Sequence, residues 1–325
     1  MVETFDTVRG QERAVSLLGR YLAAGTTPGG LLFAGEEGVG KEKTARAFVS
    51  ALLCRAPGAD GACGACPDCR LLGTGGHPNF LHIVPETHFL RIDEVRSLKE
   101  ELSLKAFSDR PRVALLVPAD RMTTQAANAL LKTLEEPPPG THLLLISHRV
   151  SQVMPTIVSR CQRIPFFPLA AETVGEILAG LPEGAGRTGG EIRLAALLSG
   201  GSPGRALAIL PELADERGTW LSLLADPYPR QAIAFAETWK AGGDTPGRMA
   251  APLSLARDLS LLSSGGGADI MNADLRATLE SLAARPPAGG WDAAFRALLA
   301  VSRMPPQPQK RLALEAFFFG LHGKG

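Results

Sequence analysis

The segment LLFAGEEGVGK, residues 31–41, decides the fold of this chain. Its first four residues form a short apolar run, which is typical of a buried parallel strand. Its last seven residues match the first seven positions of the Walker A pattern and precede a helical pattern. Gly35, Gly38 and Gly40 allow backbone N–H groups to turn toward a phosphate, and Lys41 would reach the outer phosphates. The segment therefore predicts a phosphate-binding loop between a strand and a helix.

Strand and helix patterns alternate around this loop up to about residue 168. Apolar runs predict further strands at 80–84, 113–117 and 143–146, with an edge strand at 163–166. Helical patterns cover residues 11–25, 41–53, 92–104 and a segment from Thr123 or Thr124 to the prolines at 137–139. Such alternation indicates an α/β fold built on an open parallel sheet.

Beyond residue 168 the strand patterns stop and helical patterns take their place. Residues 170–210 predict a small group of helices, and residues 212–321 predict a second helical region. We therefore predict three domains: an α/β domain at 1–168, a small helical domain at 169–211 and an all-α domain at 212–325.

The phosphate loop lacks the groups that handle magnesium. The eighth Walker A position is normally Ser or Thr, whose hydroxyl binds Mg²⁺, but here it is Glu42. A carboxylate ~4 Å from a phosphate oxygen costs up to ~4 kcal/mol at an effective dielectric of ~20. The second nucleotide element is an apolar strand ending in Asp-Glu, yet the strand here ends in residues 117–119, and the first carboxylate is Asp120. These departures favour a loop kept for its architecture over a live ATPase, and they leave the binding of ATP or ADP open.

Composition and charge argue against several classes of function. Hydrophobic residues make up 45% of the 325 residues and charged residues 21%, which is typical of a globular protein. The net charge of +1 gives no field for strong autonomous nucleic-acid binding. The N-terminus lacks a signal-peptide pattern, and no run of about eighteen apolar residues predicts a membrane span. We expect a cytoplasmic protein.

Four cysteines follow the predicted phosphate-loop helix: Cys54, then Cys63, Cys66 and Cys69 at two consecutive C-x-x-C steps. In a reducing compartment, clustered cysteines are more often metal ligands than disulfides. The last three lie in a loop rich in Gly and Ala, within an insertion at 54–76 that cannot build its own core. Four thiolates suit a closed, structural zinc site. The alternatives are four unliganded thiols or a redox pair. His77 is not needed as a ligand and is expected on the surface, and Cys161 stands apart.

Several motifs resemble bacterial clamp-loader proteins of the AAA+ class, which belong to DNA polymerase III. They are the segments 8–11 (VRGQ), 128–138 (NALLKTLEEPP) and 159–161 (SRC), together with the degenerate phosphate loop and the four cysteines after it. The resemblance covers about residues 5–210, and the C-terminal third fits by length and helicity only.

The resemblance implies a AAA+ P-loop module, a small helical lid and a helical collar that joins a ring of five subunits. It implies a role in DNA replication, in ATP-dependent loading of the sliding clamp onto primed DNA. The implied partners are the gamma/tau and delta subunits, with the clamp and the primer-template DNA reached through the assembly, and no membrane is involved.

Departures from the family pattern point to its delta prime branch. The two acidic positions of the ATPase subunits fall on Val117 and Pro118, and the sensor-two arginine falls on Gly204, with Arg205 one position late. Ser147 lies in the sensor-one position, and a polar residue there does not distinguish the branches of the family. These departures separate the chain from the gamma/tau motor.

The resemblance also implies that Arg160 projects into the ATP site of the adjacent subunit as an arginine finger. Without the family, a surface salt bridge is the default reading of Arg160, and Lys132 is read as a solvated lysine rather than a DNA phosphate contact. Two rival hypotheses remain: an active gamma/tau-like clamp-loader ATPase that uses Glu42, and a zinc-dependent nucleic-acid-binding module.

Overall fold

The computed structural model describes residues 2–85, 87–104, 109–225, 229–239, 248–267, 269–304 and 308–321. The chain splits into two compact units, Met1–Ala170 and Ala171–Gly325. The first unit carries the sheet, and the described part of the second unit is helical.

The sheet of the first unit has five parallel strands in the order β2-β3-β4-β1-β5. The predicted open parallel α/β sheet is confirmed, including the edge position of the last strand. Folds of this type bind ligands at the carboxyl ends of their parallel strands. The phosphate loop follows the carboxyl end of β1 and therefore lies on this side of the sheet. The strands are β1 (Gly30–Ala34), β2 (Phe80–Ile83), β3 (Arg112–Leu116), β4 (Thr141–Ser147) and β5 (Gln162–Pro165).

Helices cover the sheet, which explains why its strands read as continuous apolar runs. All residues of β1 and β3 are buried, because strands between helical layers have no solvent face. On one side, Leu98 and Leu130 pack with sheet residues such as Leu145 in one apolar cluster. The helices are α1 (Glu12–Ala24), α2 (Lys41–Leu53), α3 (Pro67–Gly73), α4 (Ile92–Ser103), α5 (Thr124–Glu135) and α6 (Pro155–Val158).

The pairing of β1 with β4 and the close approach of β5 fix the start of the phosphate loop. Ala34 is in register with Ser147, and the next residue, Gly35, donates its N–H to the Ser147 carbonyl over 3.3 Å. A Cβ atom at Gly35 would lie 2.5 Å from the carbonyl oxygen of Phe166. Only glycine fits at this point.

The described residues of the second unit form eight α-helices and two short 3-10 helices, Pro182–Gly184 and Ala273–Leu275. Its first three helices contact one another, while Trp220, Trp291 and Phe318 belong to a larger apolar cluster. Helix α9 runs without interruption across residue 211, where the sequence predicted a domain boundary. The division into domains at 169–211 and 212–325 stays a prediction. The helices are α7 (Ala171–Ala179), α8 (Gly189–Leu198), α9 (Pro203–Ala225), α10 (Pro229–Glu237), α11 (Ala250–Ser263), α12 (Arg276–Ala283), α13 (Gly290–Ser302) and α14 (Pro308–Leu321).

Within the described ranges, each helix is too short or too polar to cross a membrane.

Candidate nucleotide and metal sites

The phosphate loop is braced by a residue far from it in sequence. Gly38 and Gly40 have positive φ angles of 77° and 98°, which side chains rarely adopt, and α2 begins directly after Gly40. The buried Gln11 donates through its side-chain amide to the carbonyls of Val39, at 3.0 Å, and Phe167, at 2.8 Å. Gln11 belongs to the VRGQ segment, so this segment supports the phosphate loop directly through its side-chain hydrogen bonds.

Lys41 lies at the centre of the loop. Its ammonium group donates to the carbonyls of Gly35, over 2.7 Å, and Glu36. The side chain is buried, and this desolvation lowers the pKa of Lys41 to about 8, against the opposing effect of nearby carboxylates of which Asp120 is the strongest. Burial thus weakens the charge of the Walker lysine, and its contact with phosphate stays a prediction.

The magnesium position of the loop holds an ion pair. Arg46, one turn further along α2, donates to Oε1 of Glu42 from Nε at 3.0 Å and from Nη2 at 2.8 Å. His82 on β2 lies 3.5 Å from the same oxygen. One oxygen of the Glu42 carboxylate is thus already bound by a cation from its own helix, and no hydroxyl occupies the position from which Walker loops bind Mg²⁺.

The end of β3 offers no carboxylate at the two acidic positions. Val117 and Pro118 follow the strand, and the first acid is Asp120. Oδ1 of Asp120 accepts the backbone N–H of His148 over 2.7 Å, so this carboxylate anchors the loop after β4. Ser147 is fully buried, and its Oγ has no hydrogen-bond partner among the described residues.

The four cysteines predicted as metal ligands meet in one group, in which their sulfur atoms all lie within 4.8 Å of one another. Cys54 lies at the C-terminus of α2, and Cys66 caps the N-terminus of α3. The prediction that the last three lie in a loop is wrong for Cys69, because Pro67 starts a helix that includes it. The Sγ atoms of Cys63 and Cys69 are 4.0 Å apart, close to the ~3.8 Å separation expected on one tetrahedral zinc ion with Zn–S of ~2.3 Å.

Backbone N–H groups point at the sulfur atoms, as a thiolate site requires. The N–H of Cys63 lies 3.2 Å from Sγ of Cys54, and the N–H of Cys66 lies 3.4 Å from Sγ of Cys63. Donors from Ala65 and Cys66 lower the pKa of the Cys63 thiol to about 6, whereas burial raises the pKa of Cys54 and Cys69. A divalent metal offsets this burial cost by replacing the thiol protons, so the donor set and its spacing fit a closed four-sulfur site.

His77 is buried, and its expected surface position is wrong. Its ring Nε2 lies 3.3 Å from Oδ1 of Asp68, and its Nδ1 accepts the backbone N–H of Asn79 over 3.1 Å. The sequence around His77 has no apolar pattern that would predict its burial. The buried ring instead pairs with Asp68, a carboxylate nine residues earlier. His77 remains outside the four-sulfur group.

Arg160 lies in the turn between α6 and β5 and is partly exposed. It donates from Nε to Oε1 of Glu135 over 2.6 Å and from Nη1 to the Thr156 carbonyl over 2.9 Å. Ser159 lies 3.4 Å from the same Nη1 through its hydroxyl. The default reading of Arg160 as a surface ion pair describes its state in this chain, and its predicted role toward a neighbouring subunit is untested. Lys132 is exposed on α5.

The fold of this chain indicates its class, and its sequence similarity to known proteins indicates its family. The parallel sheet with a Walker-type loop after β1 defines a protein of the P-loop class. Residues 10–170 match the family model described as "DNA polymerase III, delta subunit". DNA polymerase III subunit delta' of Pseudomonas aeruginosa is 42% identical over 175 residues, which cover 53% of this chain and 52% of that protein. The same subunit of Escherichia coli is 32% identical over 220 residues, covering 63% of this chain and 65% of that protein. The chain belongs to the delta prime family of DNA polymerase III clamp-loader proteins.

The similarity also extends to a second subunit of DNA polymerase III. Subunit gamma/tau of Mycobacterium tuberculosis is 31% identical over 214 residues, covering 65% of this chain and 37% of that protein. The match thus spans 52% and 65% of the length of these two delta prime relatives, and 37% of the length of gamma/tau.

Proposed function

We propose that this chain is a clamp-loader subunit that supports ATP-dependent loading of the sliding clamp onto primed DNA without hydrolysing ATP itself. The main supporting observation is the eighth Walker A position, which normally binds magnesium through a hydroxyl. Glu42 occupies this position, and Arg46 binds its carboxylate. The strand end at Val117 and Pro118 lacks both the metal-binding acid and the acid that positions water.

In this role the chain contributes Arg160 to the ATP site of an adjacent gamma/tau subunit. A guanidinium brought to the γ-phosphate stabilises the charge of the transition state, as an arginine finger does in trans. Its partial exposure supports the proposal, because the group can exchange its present partner Glu135 for a phosphate. The further partners are the delta subunit, and the clamp and primer-template DNA through the assembly.

The four cysteines hold a structural zinc ion in this proposal. The four-sulfur donor set leaves no open position for a reacting water, which argues against a catalytic metal. The ion would stabilise an insertion whose glycines and alanines offer little apolar surface of their own.

Reconstitution tests the proposal. The chain is mixed with gamma/tau and delta subunits, the assembly is identified by native mass spectrometry, and loading of a fluorescent clamp onto primed DNA is followed with and without the chain. We expect a stable assembly that contains the chain and loads clamps with ATP. Equal loading by an assembly that lacks the chain contradicts the proposal.

A second candidate, a gamma/tau-like ATPase, is favoured by the position of Lys41 and by the 31% identity to gamma/tau. In that case Glu42 must leave Arg46 and bind Mg²⁺. Calorimetry with ATP in the presence and absence of magnesium separates the two candidates. ATP binding that magnesium strengthens supports the ATPase, whereas binding that is absent or insensitive to magnesium supports the non-hydrolysing subunit.

A further inference from the structure

The buried carboxylate of Asp68 stands between two of the four cysteines, Cys66 and Cys69, and is not itself part of the sulfur group. Its side chain is only 3% exposed. Burying a charge costs free energy unless the charge is paired and hydrogen-bonded. The partners of Asp68 therefore indicate the role of its carboxylate.

The first partner joins the two ends of the cysteine insertion. Arg55, which directly follows Cys54, donates from Nε to Oδ2 of Asp68 over 2.6 Å. Since Asp68 directly precedes Cys69, this one contact connects chain segments that carry an early and a late ligand. The Arg55 side chain is 56% exposed, so its guanidinium meets solvent while the carboxylate does not.

The second partner connects the insertion to the sheet. Nδ1 of His77 accepts the Asn79 N–H, which places the proton of a neutral ring on Nε2, where it is donated to Oδ1 of Asp68. Asn79 in turn accepts the N–H of Val113 over 2.8 Å and donates its amide to the Arg110 carbonyl over 3.0 Å. A continuous series of hydrogen bonds, through Asp68, His77 and Asn79, therefore connects the cysteine segment to the start of β3.

We propose that Asp68 is a positioning residue of the four-cysteine metal site, which holds the loop in ligand geometry through Arg55 and His77 before a metal binds. This inference depends on the proposed zinc site. Gly61 and Gly64 give the loop backbone much freedom, and both have positive φ angles. A loop that must be ordered by the metal loses affinity, because the cost of ordering is subtracted from the binding free energy. A loop already tied at both ends avoids most of that cost.

The experiment measures metal affinity and ligand geometry in the full chain. Zinc affinity is measured by competition with a chromogenic chelator, and Co²⁺ replaces zinc so that its visible absorption reports a tetrahedral thiolate site. We expect Asp68→Asn, which keeps the shape but loses the charge, to weaken zinc binding about 10-fold or more, the effect typical of lost supporting contacts around a metal. Its Co²⁺ spectrum should become weaker and shifted.

Controls keep the inference separate from the zinc proposal and from folding. Asp60→Asn changes an exposed carboxylate of the same insertion and should bind zinc like the wild type. If Asp68→Asn does not fold, Arg55→Gln, at a position more than half exposed, carries the test with the same expected direction. A wild-type chain that binds no zinc, or a Cys63→Ser variant that binds it fully, refutes the metal site. Wild-type binding with Asp68→Asn and Arg55→Gln unchanged in affinity and spectrum refutes only the role of Asp68.

Discussion

Arg160 and Glu135 form an ion pair that connects the turn after α6 to the last turn of α5, with Nε 2.6 Å from Oε1. The two side chains are 34% and 46% exposed. Exposed pairs of this kind contribute only ~0–1 kcal/mol, since solvent screens them. The pair can therefore be given up when a more highly charged partner, such as a nucleotide phosphate, approaches the guanidinium.

Arg160→Ala should leave the chain folded and lower ATP turnover by the reconstituted clamp loader. An arginine finger is worth roughly 10³-fold or more at the site it completes, while other ATP sites of the assembly keep their own groups, so we expect the total rate to fall by the share of that one site, roughly a third or less. Steady-state phosphate release measures it. The matched control is Arg96→Ala, which removes an exposed arginine of α4 paired with Asp93. Equal rates for both variants and the wild type would exclude the finger role.

Glu135→Gln should raise ATP turnover by the same assembly in the absence of DNA. The carboxylate and the γ-phosphate compete for one guanidinium, and the neutral amide competes less well. The rate is compared in single and double variants, and the gain should disappear when Arg160→Ala is added. A rate that falls in Glu135→Gln would indicate instead that Glu135 orients the guanidinium.

Removal of the metal should destabilise the first unit. The proposed zinc ion is bound only by the folded chain, so a strong chelator should lower the thermal midpoint by several degrees. Differential scanning calorimetry measures the shift, and elemental analysis should find one zinc per chain. Cys63→Ser should lose both the zinc and the chelator effect, while Cys161→Ala, which alters a thiol outside the group, should keep both. A midpoint that does not respond to chelator in the zinc-loaded wild type contradicts a structural ion.

Lys41→Met should change how stability depends on pH. Burial lowers the pKa of Lys41 from 10.5 to about 8, so the unfolded chain holds a proton that the folded chain releases between these values, and wild-type stability rises with pH there. Below this window the buried charge costs up to about 3 kcal/mol, at ~1.4 kcal/mol per pKa unit. The unfolding free energy of Lys41→Met minus that of the wild type should fall by about that amount from pH 7 to about pH 10.5, in urea titrations. A fall of equal size for Lys43→Met, an exposed neighbour, would show that burial is not the cause.

The sheet and its phosphate loop could be predicted because their information is local. Strands buried on both faces have continuous apolar runs, and the loop needs glycines at fixed positions, so residues 31–41 alone predict strand, turn and helix. The four cysteines met as predicted because two C-x-x-C steps limit the geometry.

What could not be predicted depends on side chains that meet across long sequence separations. Gln11 reaches Phe167, Arg160 reaches Glu135, and His77 is buried against Asp68, and no periodic pattern reports such pairs. The ion pair between Arg46 and Glu42 could have been predicted from the sequence, because residues of opposite charge four positions apart on a helix commonly pair.

We propose that ATP is hydrolysed at a neighbouring subunit and not in this chain. ATP turnover with magnesium, measured on the purified chain alone and on assemblies with wild-type or Lys41→Ala chain, tests it most directly. We predict no turnover above background by the chain alone, and equal rates for the two assemblies. Magnesium-dependent turnover by the chain alone that Lys41→Ala abolishes would contradict the claim.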